Sequence, residues 1–278
     1  MVTVDAPPRG DRREAARAEA LCLGVVSYLN VAPIIYGLLG DPAFRLLSEV
    51  PSRVAERLHA GEIDLGTIPS IEYAFGDYAI VPGIAIGSRG PVRSVRLYHP
   101  GPLEQVRRVA LDSSSRTSVA LLKILLRERL GRDPEYVPME PFLEAMLSAA
   151  DAALLIGDPA LYSESDLPRL DLGEEWTRTT GLPFVYAFWA GRPGAVTPAE
   201  AARLQESLRQ GLAAVRTIAA GYNTQRPGWE AVNESYLREN IVFTLGQEEV
   251  AGLREFYRRA FALSLIPQVP ELRFHADA

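Results

Sequence analysis

Cysteine and histidine are both scarce in this sequence. Its 278 residues contain one cysteine, Cys22, and three histidines, His59, His99 and His275. A single cysteine excludes an internal disulfide and argues against a thiolate metal site. None of the histidines lies within ligand spacing of another histidine or of the cysteine, so the sequence contains no zinc motif. We therefore predict a protein without a metal site.

Long apolar runs and an excess of positive charge are also missing. No stretch approaches the roughly 18 uninterrupted apolar residues that a membrane-spanning helix needs. The formal net charge is −6, which disfavours a broad nucleic-acid footprint. No glycine-rich nucleotide loop is present either. We predict a protein that binds neither a membrane nor nucleic acid.

The first 20 residues, MVTVDAPPRGDRREAARAEA, are rich in charge and lack the apolar core of a secretory signal. We expect residues 1–20 to be disordered or frayed, and we expect the protein to be cytoplasmic.

The rest of the sequence alternates short aliphatic runs with amphipathic stretches. This alternation predicts an α/β fold with largely parallel strands, followed by mainly helical structure after residue 197. With 47% hydrophobic and 23% charged residues, the chain is typical of a globular protein and long enough for two lobes of roughly 100–150 residues.

The same order of elements occurs twice. Strand LGVV, turn SYLN and helix VAPIIYGLL precede helix RVAERLHAG, Asp64 and strand LGTI. Strand RVAL, turn DSSSRTS and helix VALLKILL precede helix FLEAMLSAA, Asp151 and strand AALLI. We infer two similar lobes, residues 21–98 plus 186–278 and residues 99–185. Because ligands bind at the carboxyl ends of strands in open α/β sheets, the two sets of turns predict a ligand cleft between the lobes.

The turn DSSSRTS is more polar than a helix cap requires. The first turn of a helix exposes free N–H groups and the positive end of its dipole, which together bind anions. The hydroxyls and the guanidinium can add donors for a carboxylate. Two alternatives to an anion site are open. The polar residues could serve only to cap the helix, or Arg116 could pack within the second lobe and not contact the ligand. The candidates are Ser114, Ser115, Arg116, Thr117 and Ser118.

Other turns supply further candidates. The turn SYLN contains Ser27, Tyr28 and Asn30, and an asparagine there could bind a ligand or cap the following helix. The remaining candidates come from the segments TIPS, GPVRSVRL and LIGD, where Asp158 could instead cap a helix and Ser94 could lie at a hinge. They are Ser70, Ser94, Gly157 and Asp158.

The motifs taken together resemble those of a known family. The blocks VSYLNVAP, GEIDLGTIPSIEYA, GPVRSVRL, LDSSSRTSVALLKILL, DAALLIGDPAL and GLPFVYAFWAGR, in this order, are similar to chorismate dehydratases of the futalosine route to menaquinone. The resemblance runs from about Gly24 to Arg192. It implies a fold like type II periplasmic binding proteins and a cytoplasmic enzyme. The implied reaction is the dehydration of chorismate to 3-[(1-carboxyvinyl)oxy]benzoate, without a metal or an organic cofactor.

The resemblance also implies roles for residues. Asn30 stands in the family's matching position and is expected to act in catalysis, while the other candidate residues are expected to bind the substrate. A sister enzyme, which makes 1,4-dihydroxy-6-naphthoate from cyclic dehypoxanthine futalosine, carries a catalytic histidine in the turn where this chain has Gly157 and Asp158. The alternative functions are the activity of that sister enzyme and the non-enzymatic binding of a small carboxylate. A homodimer is compatible with the sequence.

Overall fold

A computed structural model describes residues 20–222 and 227–275 of the chain. The segment expected to be frayed, residues 1–20, lies outside the described residues except for Ala20. Within the described residues, no helix is long and apolar enough to cross a membrane.

The first sheet has five strands in the order β2-β1-β3-β10-β4. These strands are β1 (Leu21–Val26), β2 (Phe44–Glu49), β3 (Leu65–Pro69), β4 (Ala79–Ser88) and β10 (Phe184–Gly191). Strands β1 and β3 are buried along their whole length, as expected for central strands covered by helices on both faces.

The second sheet also has five strands, in the order β7-β6-β8-β5-β9. They are β5 (Val95–Tyr98), β6 (Arg108–Asp112), β7 (Glu135–Met139), β8 (Ala152–Ile156) and β9 (Arg169–Asp171). Every residue of β8 is buried.

The helices alternate with these strands and dominate after β10. The α-helices span Ala32–Ile35, Pro51–Ala60, Thr117–Leu130, Leu143–Ala149, Gly157–Leu161, Leu172–Thr180, Pro198–Ala213, Val215–Gly221, Glu230–Ser235 and Gln247–Ala262. Short 3₁₀ segments span Leu29–Val31, Tyr36–Leu38, Ser70–Phe75 and Leu103–Gln105, and a π-helical turn spans Tyr236–Asn240.

The expectation of largely parallel strands is wrong. Strand β1 pairs in parallel with β2 and β3, but β10 pairs antiparallel with β3 and β4. In the second sheet, β6 pairs in parallel with β7 and β8, and β5 pairs antiparallel with β8 and β9. The antiparallel strands arise because the chain crosses between the sheets twice, and each crossing inserts a strand that runs against its neighbours.

The sheet pairing divides the chain near the predicted lobe boundaries. Residues 95–98 were assigned to the first lobe, whereas they form β5 of the second sheet. Residues 184–185 were assigned to the second lobe, whereas they begin β10 of the first sheet. The exact bounds of the two lobes stay a prediction, and the sheets indicate crossings in the segments 89–94 and 172–183.

The repeated order of elements has a counterpart in hydrogen bonding. The carboxylate of Asp64 accepts from the backbone N–H of Cys22, at the start of β1. The carboxylate of Asp151 accepts from the backbone N–H groups of Arg107 and Arg108, at the start of β6. These bonds lower the pKa of Asp151 because they favour its charged form. Each aspartate therefore secures the amino end of the strand that leads to a polar turn.

Aromatic packing joins β10 to the helices beside it. The ring of Phe184 packs edge-on against Trp176 at 5.2 Å and against Phe256 at 5.0 Å between centroids. All three side chains are fully buried. Large buried aromatic side chains contribute strongly to stability, so this cluster fixes the C-terminal helix Gln247–Ala262 against the first sheet.

Candidate functional site

A cavity lies between the two sheets. Its walls come from turns that follow β1, β6 and β8, from the start of β5, and from β3 and β10. Small-molecule sites commonly occur between domains. The lining residues selected from the sequence are Tyr28, Asn30, Ser94, Ser115, Arg116, Thr117, Ser118 and Gly157.

Asn30 enters the cavity from the turn after β1. A 3₁₀ turn over Leu29–Val31 leads directly into the helix that starts at Ala32, with Pro33 in its first turn. Within the described residues, Asn30 Oδ1 is buried and has no hydrogen-bond partner. A buried acceptor without a partner is costly in a folded protein unless a ligand satisfies it.

The turn after β6 faces Asn30 from the second sheet. Asp112 accepts hydrogen bonds from the backbone N–H of Ser114 at 2.9 Å and from its Oγ at 2.6 Å. Burial raises the pKa of Asp112, although these hydrogen bonds oppose the rise. Asp112 therefore uses its carboxylate to shape the turn, and Ser115 follows with a buried Oγ that has no partner among the described residues.

The helix Thr117–Leu130 begins at this turn. No side chain of the turn caps it at Arg116, the N-cap residue, so the alternative of a generously capped helix does not account for the serines. The free N–H groups of its first turn and the buried hydroxyl of Ser118 lie beside the cavity. This arrangement suits a carboxylate, since helix N-termini bind anions.

The side chain of Arg116 points away from this arrangement. Its guanidinium lies 3.2 Å from Glu56 Oε1, and 47% of its side chain is exposed. Glu56 belongs to the helix Pro51–Ala60 beside the first sheet. Arg116 therefore forms an exposed ion pair that joins the start of the helix Thr117–Leu130 to the helix Pro51–Ala60. Arg116 is also one of the residues that line the cavity.

Thr117 connects the turn after β6 to the segment that follows β3 of the first sheet. Its Oγ1 accepts a hydrogen bond from the backbone N–H of Ile71 at 3.2 Å and lies 3.4 Å from Ser70 Oγ. The Ser70 hydroxyl is fully buried and donates to the carbonyl of Val185 at 2.8 Å. Ser70 thus supports the turn after β3 and does not line the cavity.

Tyr28 closes the cavity from the first-sheet side. Its hydroxyl lies 3.2 Å from Ser114 Oγ. Because Ser114 donates its own proton to Asp112, Tyr28 is the donor in this pair. Burial raises the pKa of Tyr28 to about 12, so Tyr28 stays protonated at neutral pH.

Asp158 connects the turn after β8 to the first-sheet side. Its Oδ1 accepts from the backbone N–H of Leu29 at 3.1 Å, and its Oδ2 accepts from the hydroxyl of Tyr222 at 2.6 Å. Tyr222 also donates to the carbonyl of Ser27 at 3.2 Å. Asp158 therefore links three segments that are distant in sequence, and it lies behind the cavity wall.

Ser94 lies in the segment that crosses from the first sheet to the second. Its carbonyl accepts from the backbone N–H of Gly157 at 2.8 Å, and its Oγ accepts from the hydroxyl of Tyr236 at 2.7 Å. Ser94 is thus held at the point where the crossing segment meets the turn after β8.

The structure brings the selected turns together around one cavity. Some selected residues lie outside its lining and support the turns instead, and these are Ser27, Ser70, Ser114 and Asp158. Ligand contact stays a prediction for all the selected residues.

Sequence reasoning missed several polar residues of the site. Tyr186 lines the cavity from β10, and its hydroxyl lies 3.1 Å from Ser88 Oγ. Thr67 lines it from β3 and accepts from the N–H of Val26 at 3.0 Å. The aromatic strand FVYAFW was a usable signal for Tyr186. The hydroxyls of Tyr222 and Tyr236 come from the C-terminal helical segments, where no local motif marks them.

Comparison with solved structures defines the class of fold. The periplasmic aliphatic sulphonate binding protein SsuA from Escherichia coli superposes with a TM-score of 0.68 at 18% identity, covering 94% of this chain and 93% of that one. The predicted fold is therefore confirmed: the chain has the two-lobed α/β architecture of periplasmic binding proteins.

Comparison of sequences defines the family. The menaquinone biosynthesis family model matches residues 21–262. A chorismate dehydratase from Thermus thermophilus is 35% identical over 255 residues, which cover 84% of this chain and 93% of that protein. A 1,4-dihydroxy-6-naphthoate synthase from Streptomyces coelicolor is 28% identical over 240 residues, covering 79% and 82%. The chain belongs to the menaquinone biosynthesis family, as the sequence motifs indicated.

Proposed function

We propose that this protein is a hydro-lyase that removes water from chorismate and forms 3-[(1-carboxyvinyl)oxy]benzoate. The similarity to the Thermus enzyme covers most of both chains and exceeds the similarity to the naphthoate synthase. Chorismate carries two carboxylates and one hydroxyl, so it needs both an anion site and a site for a hydroxyl. We also propose that the protein acts in the cytoplasm, as expected for a biosynthetic enzyme.

One observation carries the proposal: an acceptor and a hydroxyl that have no partner among the described residues belong to residues that line the same cavity as a helix N-terminus. The acceptor is Asn30 Oδ1 and the hydroxyl is Ser115 Oγ, both buried. The helix is Thr117–Leu130. We propose that the helix N-terminus, with Ser115 and Ser118, holds one carboxylate of chorismate.

The proposed reaction is driven mainly by the substrate itself. Dehydration breaks the C3–H and C4–O bonds, releases one water and makes the ring aromatic, and aromatisation drives it forward. The protein must mainly orient the substrate and stabilise developing charge. In this proposal Asn30 and Ser94 hold the C4 hydroxyl, which is the leaving group.

The proton at C3 requires a base. Among the described residues that line the cavity, Arg116 alone has a charged side chain, and an arginine stays protonated. Burial raises the pKa of both lining tyrosines, Tyr28 and Tyr186, so neither is a base at neutral pH. We propose that the enolpyruvyl carboxylate of the substrate takes this proton and passes it to the departing hydroxyl, which leaves as water, while the protein fixes the position of the carboxylate.

The decisive experiment is to incubate the purified protein with chorismate and to follow the products by mass spectrometry. We expect an enolpyruvyl benzoate, one water lighter than chorismate, and a strongly reduced rate for Asn30→Ala. Binding of chorismate without turnover would instead indicate a solute-binding protein. Turnover of cyclic dehypoxanthine futalosine, with chorismate left intact, would indicate the naphthoate synthase activity.

A further inference from the structure

Tyr236 lies directly behind both Asn30 and Ser94. Its side chain is fully buried in the π-helical turn near the C-terminus. Its hydroxyl donates to Ser94 Oγ at 2.7 Å. The side-chain amide of Asn30 lies close enough to this hydroxyl to lower the pKa of Tyr236, against the larger rise caused by burial. One buried hydroxyl therefore connects two residues that line the cavity.

The direction of each hydrogen bond follows from the chemistry of these groups. Asn30 Oδ1 has no partner in the part of the chain that the structure describes, so the amide nitrogen is the atom that meets Tyr236. An amide nitrogen can only donate, and Tyr236 uses its own proton for Ser94. The chain of donation therefore runs from Asn30 to Tyr236 to Ser94.

This direction determines what the cavity offers to a ligand. With its nitrogen engaged, Asn30 presents its carbonyl oxygen, which is an acceptor. With its oxygen already accepting from Tyr236, Ser94 keeps its own proton to donate. An acceptor beside a donor matches a hydroxyl group, which donates once and accepts once. A carboxylate fits poorly there, because it would meet the oxygen of Asn30.

We propose that Tyr236 is a positioning residue for the reaction, and that it orients Asn30 and Ser94 so that they hold a substrate hydroxyl between them. This inference rests on the proposed function for the identity of the substrate, whose single hydroxyl is the leaving group. Tyr236 does not line the cavity and acts through the two residues in front of it. The anion site at the helix Thr117–Leu130 holds the carboxylate independently of Tyr236.

Tyr236→Phe tests the proposal, since it removes the hydroxyl and keeps the ring. We expect kcat for chorismate to fall about tenfold or more, while KM changes less than about threefold. Tyr73→Phe is the matched control. Tyr73 is equally buried, and its hydroxyl donates to the carbonyls of Tyr78 and Glu271, away from the cavity. Tyr73→Phe should lower thermal stability and leave kcat unchanged.

A double-mutant cycle separates positioning from general weakening of the fold. In an Asn30→Ala background the orientation of Asn30 no longer matters, so Tyr236→Phe should lower kcat less than about twofold further. If the fold-changes in kcat caused by the two substitutions simply multiply, the effects are independent and the proposal is overturned. An unchanged kcat in folded Tyr236→Phe would overturn it too.

A second measurement does not depend on the substrate and uses a side chain that keeps the hydroxyl. With 3-fluorotyrosine at position 236, the ¹⁹F resonance of the ligand-free protein should shift in both Asn30→Ala and Ser94→Ala, and not in Tyr73→Phe. Absence of both shifts would overturn the positioning role. If the shifts occur but the unsubstituted protein does not dehydrate chorismate, the proposed function fails, while the hydrogen-bond chain stands.

Discussion

The ring of Tyr28 lies against the backbone of Gly157, so the turn after β1 touches the turn after β8 across the cleft. A Cβ atom on Gly157 would overlap the ring, and the backbone there has φ +58°, which disfavours residues with a side chain. Glycine is thus required at this position for two separate reasons.

The first prediction concerns Gly157→Ala. We expect kcat/KM for chorismate to fall about tenfold or more, because the methyl group displaces Tyr28 and opens the cleft. Gly131→Ala is the matched control. Gly131 has φ +67°, and no atom of the described residues lies within 4 Å of an added Cβ, so it reports backbone strain alone, about 1 kcal/mol of stability. Equal kinetics in the two variants would contradict a role for the Tyr28 contact.

The second prediction concerns Asn30→Ala. We expect kcat to fall about 10²-fold, which is the usual effect of removing one oriented polar group from an active site. The affinity for chorismate should change far less, because the carboxylate is held by the opposite wall. Steady-state rates with equilibrium binding measure the two effects. Unchanged turnover would remove Asn30 from the mechanism.

The third prediction separates Arg116 from its neighbours. Its guanidinium is half exposed and bound to Glu56, and exposed ion pairs contribute about 0–1 kcal/mol. We expect Arg116→Ala to weaken chorismate binding less than about threefold, and Ser115→Ala to weaken it more. Isothermal titration of both variants tests this order. A larger loss in Arg116→Ala would mean that the arginine turns to the substrate on binding.

The fourth prediction concerns Asp158, which binds Leu29 and Tyr222. Asp158→Ala should loosen the contact between the two turns and raise KM about tenfold, with a smaller effect on kcat. Small-angle scattering should show a larger radius of gyration for the ligand-free variant. The same radius in both proteins, with an unchanged KM, would show that Asp158 does not hold the cleft closed.

The fifth prediction concerns pH and the buried His275. Burial lowers the pKa of His275 below its usual 6.5, and within the described residues its Nε2 has no partner. The unfolded chain therefore takes up the proton more readily than the folded one. The stability that neutral His275 contributes is present above pH 6.5 and is lost as the pH falls through the lower folded pKa.

Thermal unfolding between pH 8 and pH 5 measures this loss. We expect His275→Gln to have a flatter profile than the unsubstituted protein, since glutamine does not titrate. His99→Gln is the control, because His99 is half exposed and, within the described residues, its imidazole bonds only to the nearby carbonyl of Gly101. Identical profiles for all three proteins would exclude His275 as a source of the pH dependence.

Local patterns in the sequence were enough to find the polar turns and several element boundaries. The capping box of Thr197 and Glu200 lies where the spacing predicts it. The same spacing predicts a second capping box at Thr244 and Gln247. That prediction is wrong, because the helix starts at Gln247 with Gly246 as its N-cap. A glutamine follows Thr244 by three residues and a glutamate follows Gly246 by three residues, and the structure uses the second pair.

Longer-range features were out of reach. Strand β4 was not predicted, since Pro82 and Gly83 interrupt its apolar run and both residues are uncommon inside strands. Tyr236 reaches the site from 142 residues beyond Ser94 in the sequence. No periodicity or spacing can reveal such a contact, because it depends on how the C-terminal helices pack against the crossing segment.

The late position of Tyr222 and Tyr236 in the chain has a consequence for biosynthesis of the protein. A nascent chain that has emerged only as far as β10 already contains every strand of both sheets, and domains can begin to fold during synthesis. That chain still lacks the two hydroxyls that bind Asp158 and Ser94. The strands of both sheets are therefore synthesised first, and the site acquires its final geometry only when the last helices dock.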